Sequence, residues 1–137
     1  VTGELSAVNA SVQAAITQHP LHLIDSFVLG NPAEEIFPAI YGASRVSEVK
    51  ALGIIETYDA AAIIVAADQA AKTAEVSLIE IRLARGMCGK SYLLITGEVA
   101  AVEAAIANAQ KSVEPRGMFL DSSVIARPDK KFIDHIM

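Results

Sequence analysis

Residues 95–104 decide how this chain is organised, because their sequence, Ile-Thr-Gly-Glu-Val-Ala-Ala-Val-Glu-Ala, occurs twice with small changes. Residues 1–10 read Val-Thr-Gly-Glu-Leu-Ser-Ala-Val-Asn-Ala, 94 positions earlier. A second match follows in the same order, 96 positions apart: residues 24–29 read Ile-Asp-Ser-Phe-Val-Leu, and residues 120–125 read Leu-Asp-Ser-Ser-Val-Ile. Two collinear matches indicate an internal repeat, with two residues inserted between the helix and the strand of the second copy.

The repeat unit is about 90 residues long, so the chain of 137 residues holds about one and a half units. We predict that residues 48–137 form a complete unit, copy two. Residues 1–47 are predicted to form the C-terminal half of a first unit, copy one, and a small, polar linker at residues 42–47. By the logic of the repeat, about 45 residues of copy one are missing before Val1, so we expect an N-terminally truncated chain.

Copy two reads as alternating strands and helices. We predict strands at residues 51–56, 76–83, 92–95 and 119–125. We predict one helix capped by Thr57 that ends near Lys72, one capped by Thr96 that ends near Lys111, and a short one from Asp129. The order βαββαβ plus a tail helix indicates a mixed α/β (α+β) domain of the ferredoxin-like type, in which two helices cover one face of the sheet.

The two long helices have apolar stripes at helical spacing, which predict the residues that face the sheet. The first stripe contains Ile63, Ala66, Ala67 and Ala70, and the second contains Val99, Val102, Ile106 and Ala109. Most of these side chains are small, so the helices are expected to pack close to the sheet.

Composition excludes several classes of partner. The net charge is −5, and aromatic residues make up only 5% with no Trp. We therefore expect the protein to bind neither nucleic acid nor an anionic membrane surface. The longest apolar run, residues 60–67, is too short to cross a bilayer. One cysteine, Cys88, excludes an intrachain disulfide and favours a reducing compartment. The mean hydropathy of +0.41 is high, so we expect apolar surface to be buried between subunits.

The turn between the second and third strands of copy two, Gly86 to Lys90, has two open interpretations. Gly86, Gly89 and Lys90 are typical of a plain hairpin turn, although their N–H groups could cradle an anion. Cys88 is either a small exposed turn residue or a metal ligand that a three-fold axis would bring together with two others. His19 and His22, which flank Pro20, are interpreted as solvated loop residues. We see no acid/base pair, nucleophile elbow or dinucleotide fingerprint, so we expect a protein that is not an enzyme.

Four segments, in the same order along the chain, resemble bacterial microcompartment shell proteins. They are Lys50 to Thr57 at the opening strand, Asp68 to Val76 at a helix-to-strand passage, Gly97 to Val102 at the second helix, and Ile125 to Pro128 at the closing motif. The tandem repeat is similar to the double-domain, trimer-forming branch of that family.

The resemblance implies a structural protein of the shell of a cytoplasmic bacterial microcompartment. Such proteins form homotrimers that mimic hexamers, contact other shell proteins and enclose enzymes. The resemblance also implies a central pore lined by the loop Arg85, Gly86, Met87, Cys88, Gly89 and Lys90, and an edge between assemblies that includes Lys72, Glu75 and Arg127. Copy one has Asn31 at the position of Arg127, so the two kinds of edge are expected to differ.

Two alternative functions remain open. Some relatives of the tandem type hold an iron–sulfur cluster at the pore, and a cluster here would be shared by Cys88 residues around the three-fold axis. We would expect the relatives' cysteine in the copy-one loop, which this chain lacks, so we expect no cofactor. The other alternative is a trimeric sensor that binds a small ligand between its subunits.

Overall fold

The structure is a computed structural model and describes residues 1–136. It contains five α-helices and four strands within that range. The helices are α1 (Leu5–Gln18), α2 (Ile36–Ile40), α3 (Ala60–Thr73), α4 (Val99–Val113) and α5 (Lys130–Ile136). The strands are β1 (Ala51–Thr57), β2 (Val76–Arg82), β3 (Ser91–Gly97) and β4 (Phe119–Ile125). Short 3₁₀ turns follow α1 at Pro20–His22 and α4 at Glu114–Arg116.

The four strands form one antiparallel sheet in the order β2-β3-β1-β4. The strand β1 lies inside the sheet, where Ile55 pairs with Leu93 on one side and with Ser122 on the other. The hairpin β2–β3 closes around the glycine-bounded turn, as the sequence predicts. The βαββαβ order with a tail helix is therefore confirmed.

The main core lies between the sheet and the pair α3 and α4, which pack side by side on one face. All four residues of the α3 stripe are fully buried. Gly53 of β1 shows how close the layers are, because a Cβ at that position would lie 2.6 Å from Cγ1 of Val102. The small side chains thus allow the close approach that the sequence indicates.

The other face of the sheet carries a smaller apolar cluster around Leu52, Ile79 and Leu94. The helix α5 covers it with Ile133 and Ile136, and the segment before β1 adds Val46 and Val49. Within residues 1–136, no helix combines the length and the apolar character that crossing a membrane needs.

Three sequence predictions about the helices need correction, and two of them concern helix starts. The N-cap of α3 is Asp59, whose Oδ1 accepts the backbone N–H of Ala62 at 2.7 Å. Thr57 belongs to β1, and its hydroxyl donates to the carbonyl of Asp59. Thr96 belongs to β3 and accepts the N–H of Lys50, so α4 begins after Glu98 without a side-chain cap. In both cases the strand continues further than expected, which moves the helix start towards the C-terminus.

The third correction concerns Val99, which was expected to face the core. It is 37% exposed, whereas Val102, Ile106 and Ala109 are buried as predicted. Val99 is the first residue of α4. Side chains of a helix tilt towards its N-terminus, so the side chain of the first residue leans beyond the helix end and is less covered.

Copy one differs from copy two in its surroundings. Val8 and Val12 of α1 occupy the repeat positions of Val102 and Ile106, yet no residue of α1 is buried. Residues 24–29 were expected to form a strand like β4, but they are irregular in the structure. The reason is that within residues 1–136 no strand lies beside them, and a strand needs a partner for its backbone hydrogen bonds.

The tail of copy one packs onto copy two. Ile36 and Ala39 of α2 are 2% and 0% exposed and belong to the same core as α3. The helix α2 lies against the edge strand β2 and against α3. A single chain therefore already contains a contact between copy one and copy two.

Candidate functional site

The loop between β2 and β3 has an unusual backbone. Four of its residues have left-handed φ values: Ala84 (48°), Gly86 (73°), Cys88 (54°) and Gly89 (95°). The conformation is free of strain for the two glycines but costs energy for Ala84 and Cys88, which carry a Cβ. Backbone bonds hold it, because Met87 donates to Ala84 at 3.1 Å and Lys90 donates to Met87 at 3.2 Å.

Ser91, the first residue of β3, fixes the base of this loop. It is buried, and its hydroxyl oxygen accepts the N–H of Ala84 at 3.0 Å. The same hydroxyl lies 3.5 Å from the carbonyl of Gly89. Sequence reasoning missed Ser91, although a hydroxyl directly after a glycine-bounded turn is a typical anchor for such a loop.

The tip of the loop is exposed and carries one thiol and two cations. The Cys88 thiol is free and exposed, and the cations Arg85 and Lys90 are exposed on either side of it. Met87 is half-buried. A shallow hollow beside the tip is lined by Glu56, Met87, Cys88, Lys90, Ser91 and Tyr92. The predicted pore-loop residues are thus brought together at one end of the sheet, where their polar groups can meet a solute.

One chain does not fit an iron–sulfur cluster. Cys88 is the single cysteine, and within residues 1–136 no three His, Cys, Asp or Glu side chains converge as metal ligands would. A four-iron cluster in proteins is held by about four thiolates. Any cluster would therefore need Cys88 from several chains.

Lys72 lies in the last turn of α3 and joins the two copies. Its Nζ lies 2.7 Å from Oδ2 of Asp68 and donates to the carbonyl of Asn31 at 2.5 Å. The other oxygen of Asp68 accepts the N–H of Ala33 at 2.9 Å. Asp68 is 2% exposed, so this buried carboxylate binds both a cation and the tail of copy one.

Sequence reasoning missed the role of Asp68. The signal was present as a carboxylate four residues before Lys72 on one helix, which is a favourable spacing for an ion pair. What the pattern could not reveal is that the pair lies against copy one. That placement depends on the tertiary contact between residues distant in sequence.

The other two predicted edge residues form no ion pair with Lys72 within residues 1–136. Arg127 is exposed just after β4, and it has no ion-pair partner among residues 1–136. Glu75 is exposed between α3 and β2, beside a cleft that also contains Glu48, Lys50 and Glu98. The hydrogen bond and charge of Glu98, followed by Glu48 and Glu75, raise the pKa of Lys50 above its usual range.

A charged cluster lies on the sheet face opposite α3 and α4. Arg82 is ion-paired to Glu80, and its guanidinium lies 5.8 Å from the centre of the Tyr92 ring. The hydroxyl of Tyr92 donates to Oε2 of Glu80 at 3.3 Å. Burial, and then the nearby Glu80 carboxylate, raise the pKa of Tyr92 above 10.0. The charged and polar groups of this cluster pair with one another, so we interpret it as a structural network that stabilises the strands next to the loop.

Comparison with known proteins gives three findings. Residues 51–128 match the family model of the BMC domain. The chain is 36% identical over 126 residues to a protein of Citrobacter freundii named bacterial microcompartment shell protein PduT, which covers 92% of this chain and 68% of that protein. A solved crystal structure of a microcompartment protein from Desulfitobacterium hafniense DCB is similar with a TM-score of 0.86 and 42% identity, over 96% of this chain and 73% of the other.

Proposed function

This chain belongs to the BMC-domain family of bacterial microcompartment shell proteins, and from that premise we propose that it forms trimers of six units that tile into a shell with a pore at the centre. It is a structural protein and not an enzyme in this proposal. Its partners are two further copies of itself, other shell proteins and the enclosed enzymes. It works in the cytoplasm, at the microcompartment shell.

The observation that carries the proposal is the packing of copy one onto copy two. The tail of copy one meets copy two through Asp68 and through the buried face of α2. This contact is heterologous, since the two units use different surfaces. A heterologous contact that repeats with the right rotation closes into a ring. With a first unit, to which residues 1–47 belong, and a second unit at residues 48–137, three chains would complete a ring of six.

The pore is the proposed role of the loop Arg85 to Lys90. In a ring, each copy-two loop would lie near the axis, so three Cys88 tips and their flanking cations would surround the passage. Exposed Arg85 and Lys90 favour small anionic metabolites over cations, because opposite charges attract over about 8 Å at physiological salt. The left-handed backbone at four loop positions would hold the passage at a defined width.

The rim is the proposed role of Lys72, Glu75 and Arg127. Arg127 is an exposed cation, and Glu75 belongs to a cleft with three carboxylates and one lysine. Opposite charges on one surface favour contact between neighbouring trimers in a sheet. Each contact is weak, but it recurs along every edge of the tile.

Native mass spectrometry tests the ring, and electron microscopy of the purified protein tests the sheet. We expect a mass of three chains and extended flat sheets at higher protein concentration. A matched control is Asp134→Asn, a charge change at an exposed position of α5, which should leave both unchanged. A protein that stays monomeric at every concentration would contradict the proposal.

A further inference from the structure

Arg116 makes a contact between the two copies that the function above does not use. It is the last residue of the 3₁₀ turn after α4, and its guanidinium is ion-paired to Asp25 of copy one. The same Nη2 donates to the carbonyl of Ser26 at 3.0 Å. Asp25 is half-buried and its Oδ2 is buried without a partner. A cation at the end of one unit thus meets an aspartate of the preceding unit.

The repeat places a second aspartate in the same local structure. Asp121 lies 96 positions after Asp25. In both, Oδ1 accepts the N–H of the following serine at 2.7 Å, so the two carboxylates are held in the same way. Yet Asp121 is exposed, and no cation pairs with it within residues 1–136.

The repeat also places a counterpart of Arg116. His22 lies 94 positions before Arg116, and each residue ends the 3₁₀ turn that follows the long helix of its unit. His22 is exposed. Where copy two presents an arginine, copy one therefore presents a histidine, whose charge depends on pH.

The surroundings of Asp121 favour a cation from outside the chain. In the register of the sheet, Asp121 of β4 lies directly opposite Glu56 of β1. Both residues are exposed. Like charges at opposite positions of an antiparallel pair repel and destabilise the sheet, so a positive group between them would be stabilising.

We infer that a second copy of this chain places its His22 against Asp121, as Arg116 meets Asp25 within the chain, so that the contact between chains strengthens when His22 is protonated. The inference rests on the ring proposed above, in which copy two is followed by copy one of the next chain. Within the chain the contact is permanent, because arginine is always charged. Between chains it is switchable, because histidine has a pKa near 6.5.

The sign of the pH effect follows from the groups around His22. On its own chain, His22 lines an apolar hollow with residues of α1, where the one other titratable group is His19. Asp25, three residues further along the chain, is already ion-paired to Arg116. In the proposed ring, His22 faces Asp121 of the neighbouring chain and Glu56, which lies opposite Asp121 in the sheet. Two carboxylates favour the protonated imidazole. The added binding is therefore present below the ordinary imidazole pKa, about 6.5, and is lost at higher pH.

The test is the midpoint protein concentration of trimer formation at about pH 5.5 and about pH 8, well to either side of the imidazole pKa. The midpoint of a monomer–trimer equilibrium varies as the square root of the association constant, so three exposed ion pairs per ring should lower it by about two- to tenfold at the lower pH. His22→Gln and Asp121→Asn should each abolish this pH dependence. His22→Arg should give the tighter midpoint at both values. His19→Gln, the matched control, should keep the pH dependence.

The outcomes separate the two proposals. A trimer whose midpoint is the same at both pH values, or whose pH dependence survives His22→Gln and Asp121→Asn, overturns this inference and leaves the ring intact. A protein that is monomeric at both pH values and at every concentration overturns the ring, and the inference with it. Circular dichroism of each variant establishes that a changed midpoint does not come from unfolding.

Discussion

Asp68 shows what a single buried charge does in this protein. It is 2% exposed, and its two oxygens bind Lys72 and the N–H of Ala33. Removing one partner of a buried ion pair leaves an uncompensated charge or an unpaired donor, which is costly. The carboxylate therefore connects α3 with the tail of copy one, and its loss should destabilise both segments.

We expect Asp68→Ala to lower the free energy of unfolding by about 2–3 kcal/mol, since two bonds to a charged group are lost. Asp68→Asn should cost less, about 1 kcal/mol, because its amide oxygen can still accept from Ala33. Urea unfolding measures both. Faster hydrogen exchange at the Ala33 amide would locate the effect, and unchanged exchange there would contradict the assignment.

Gly53 is a second residue whose role follows from geometry. A Cβ there would lie 2.6 Å from Val102 and 2.7 Å from Ile95. Gly53→Ala should therefore overpack the core and cost about 1–3 kcal/mol by urea unfolding. Gly30→Ala is the matched control, because its nearest neighbour would be an ordinary 3.7 Å away. Val102→Ala should relieve the clash, so the double variant should lose less stability than the sum of the losses of the two single variants. A loss equal to that sum would argue against the clash.

Tyr92 should make stability fall at alkaline pH. Burial and the nearby Glu80 raise its pKa in the folded protein above 10.0, so folding favours the protonated phenol. The stabilisation is fully present below pH 10.0 and is lost as the pH rises through the higher folded pKa. Thermal unfolding between about pH 9 and pH 12 should show this fall, and Tyr92→Phe should flatten it. An equal fall in both proteins would assign the effect to other groups.

At the scale of the elements, the strands and helices of copy two follow from sequence because local pattern and tertiary contact agree there. The stripe of α3 predicts its buried face, and the glycine-bounded turn predicts the hairpin β2–β3. The helix starts were misplaced because a threonine is typical both of a cap and of a strand. The pairing partner decides between the two, and it is a distant segment: Thr96 pairs across the sheet with Leu52.

In copy one, the local sequence pattern alone did not predict the structure. Residues 24–29 carry the pattern of β4 but form no strand, because strand formation needs a neighbour as well as a suitable sequence. In the candidate site, the glycines predict the turn between β2 and β3, whereas its place at a pore is implied only by the family resemblance. The link from Asp68 to Ala33 could not be predicted, because it depends on a contact between residues distant in sequence, whereas Ser91, directly after the turn, was a local signal that sequence reasoning missed.

The loop β2–β3 gives a prediction about metal content. Cys88 is exposed at the tip of the loop, so Cys88→Ser should leave the fold and its thermal midpoint nearly unchanged. We expect no stoichiometric iron in the protein purified without oxygen, by elemental analysis. Iron in the wild type that disappears in Cys88→Ser, together with a paramagnetic signal on reduction, would instead assign a shared cluster to the pore.

At the scale of the whole molecule, the proposed tiling depends on exposed residues that the fold itself does not need. Arg127 has no ion-pair partner within residues 1–136, so Arg127→Ala should leave the trimer mass unchanged and reduce or disorder the sheets. Lys72→Ala is a less selective change, because it also removes the cation of Asp68. Native mass spectrometry and electron microscopy measure the two effects separately. Unchanged sheets with Arg127→Ala would remove this residue from the rim.

The replacement of Arg127 by Asn31 at the matching position of copy one has a consequence for the symmetry of any sheet. A tile with six identical sides can be rotated by 60° and still meet its neighbours in the same way. A tile whose sides alternate between arginine and asparagine regains its contacts only after 120°. An ordered sheet of this protein alone should therefore give a p3 diffraction pattern and not p6. In a mixed sheet, such a tile would distinguish two orientations that a six-fold neighbour cannot.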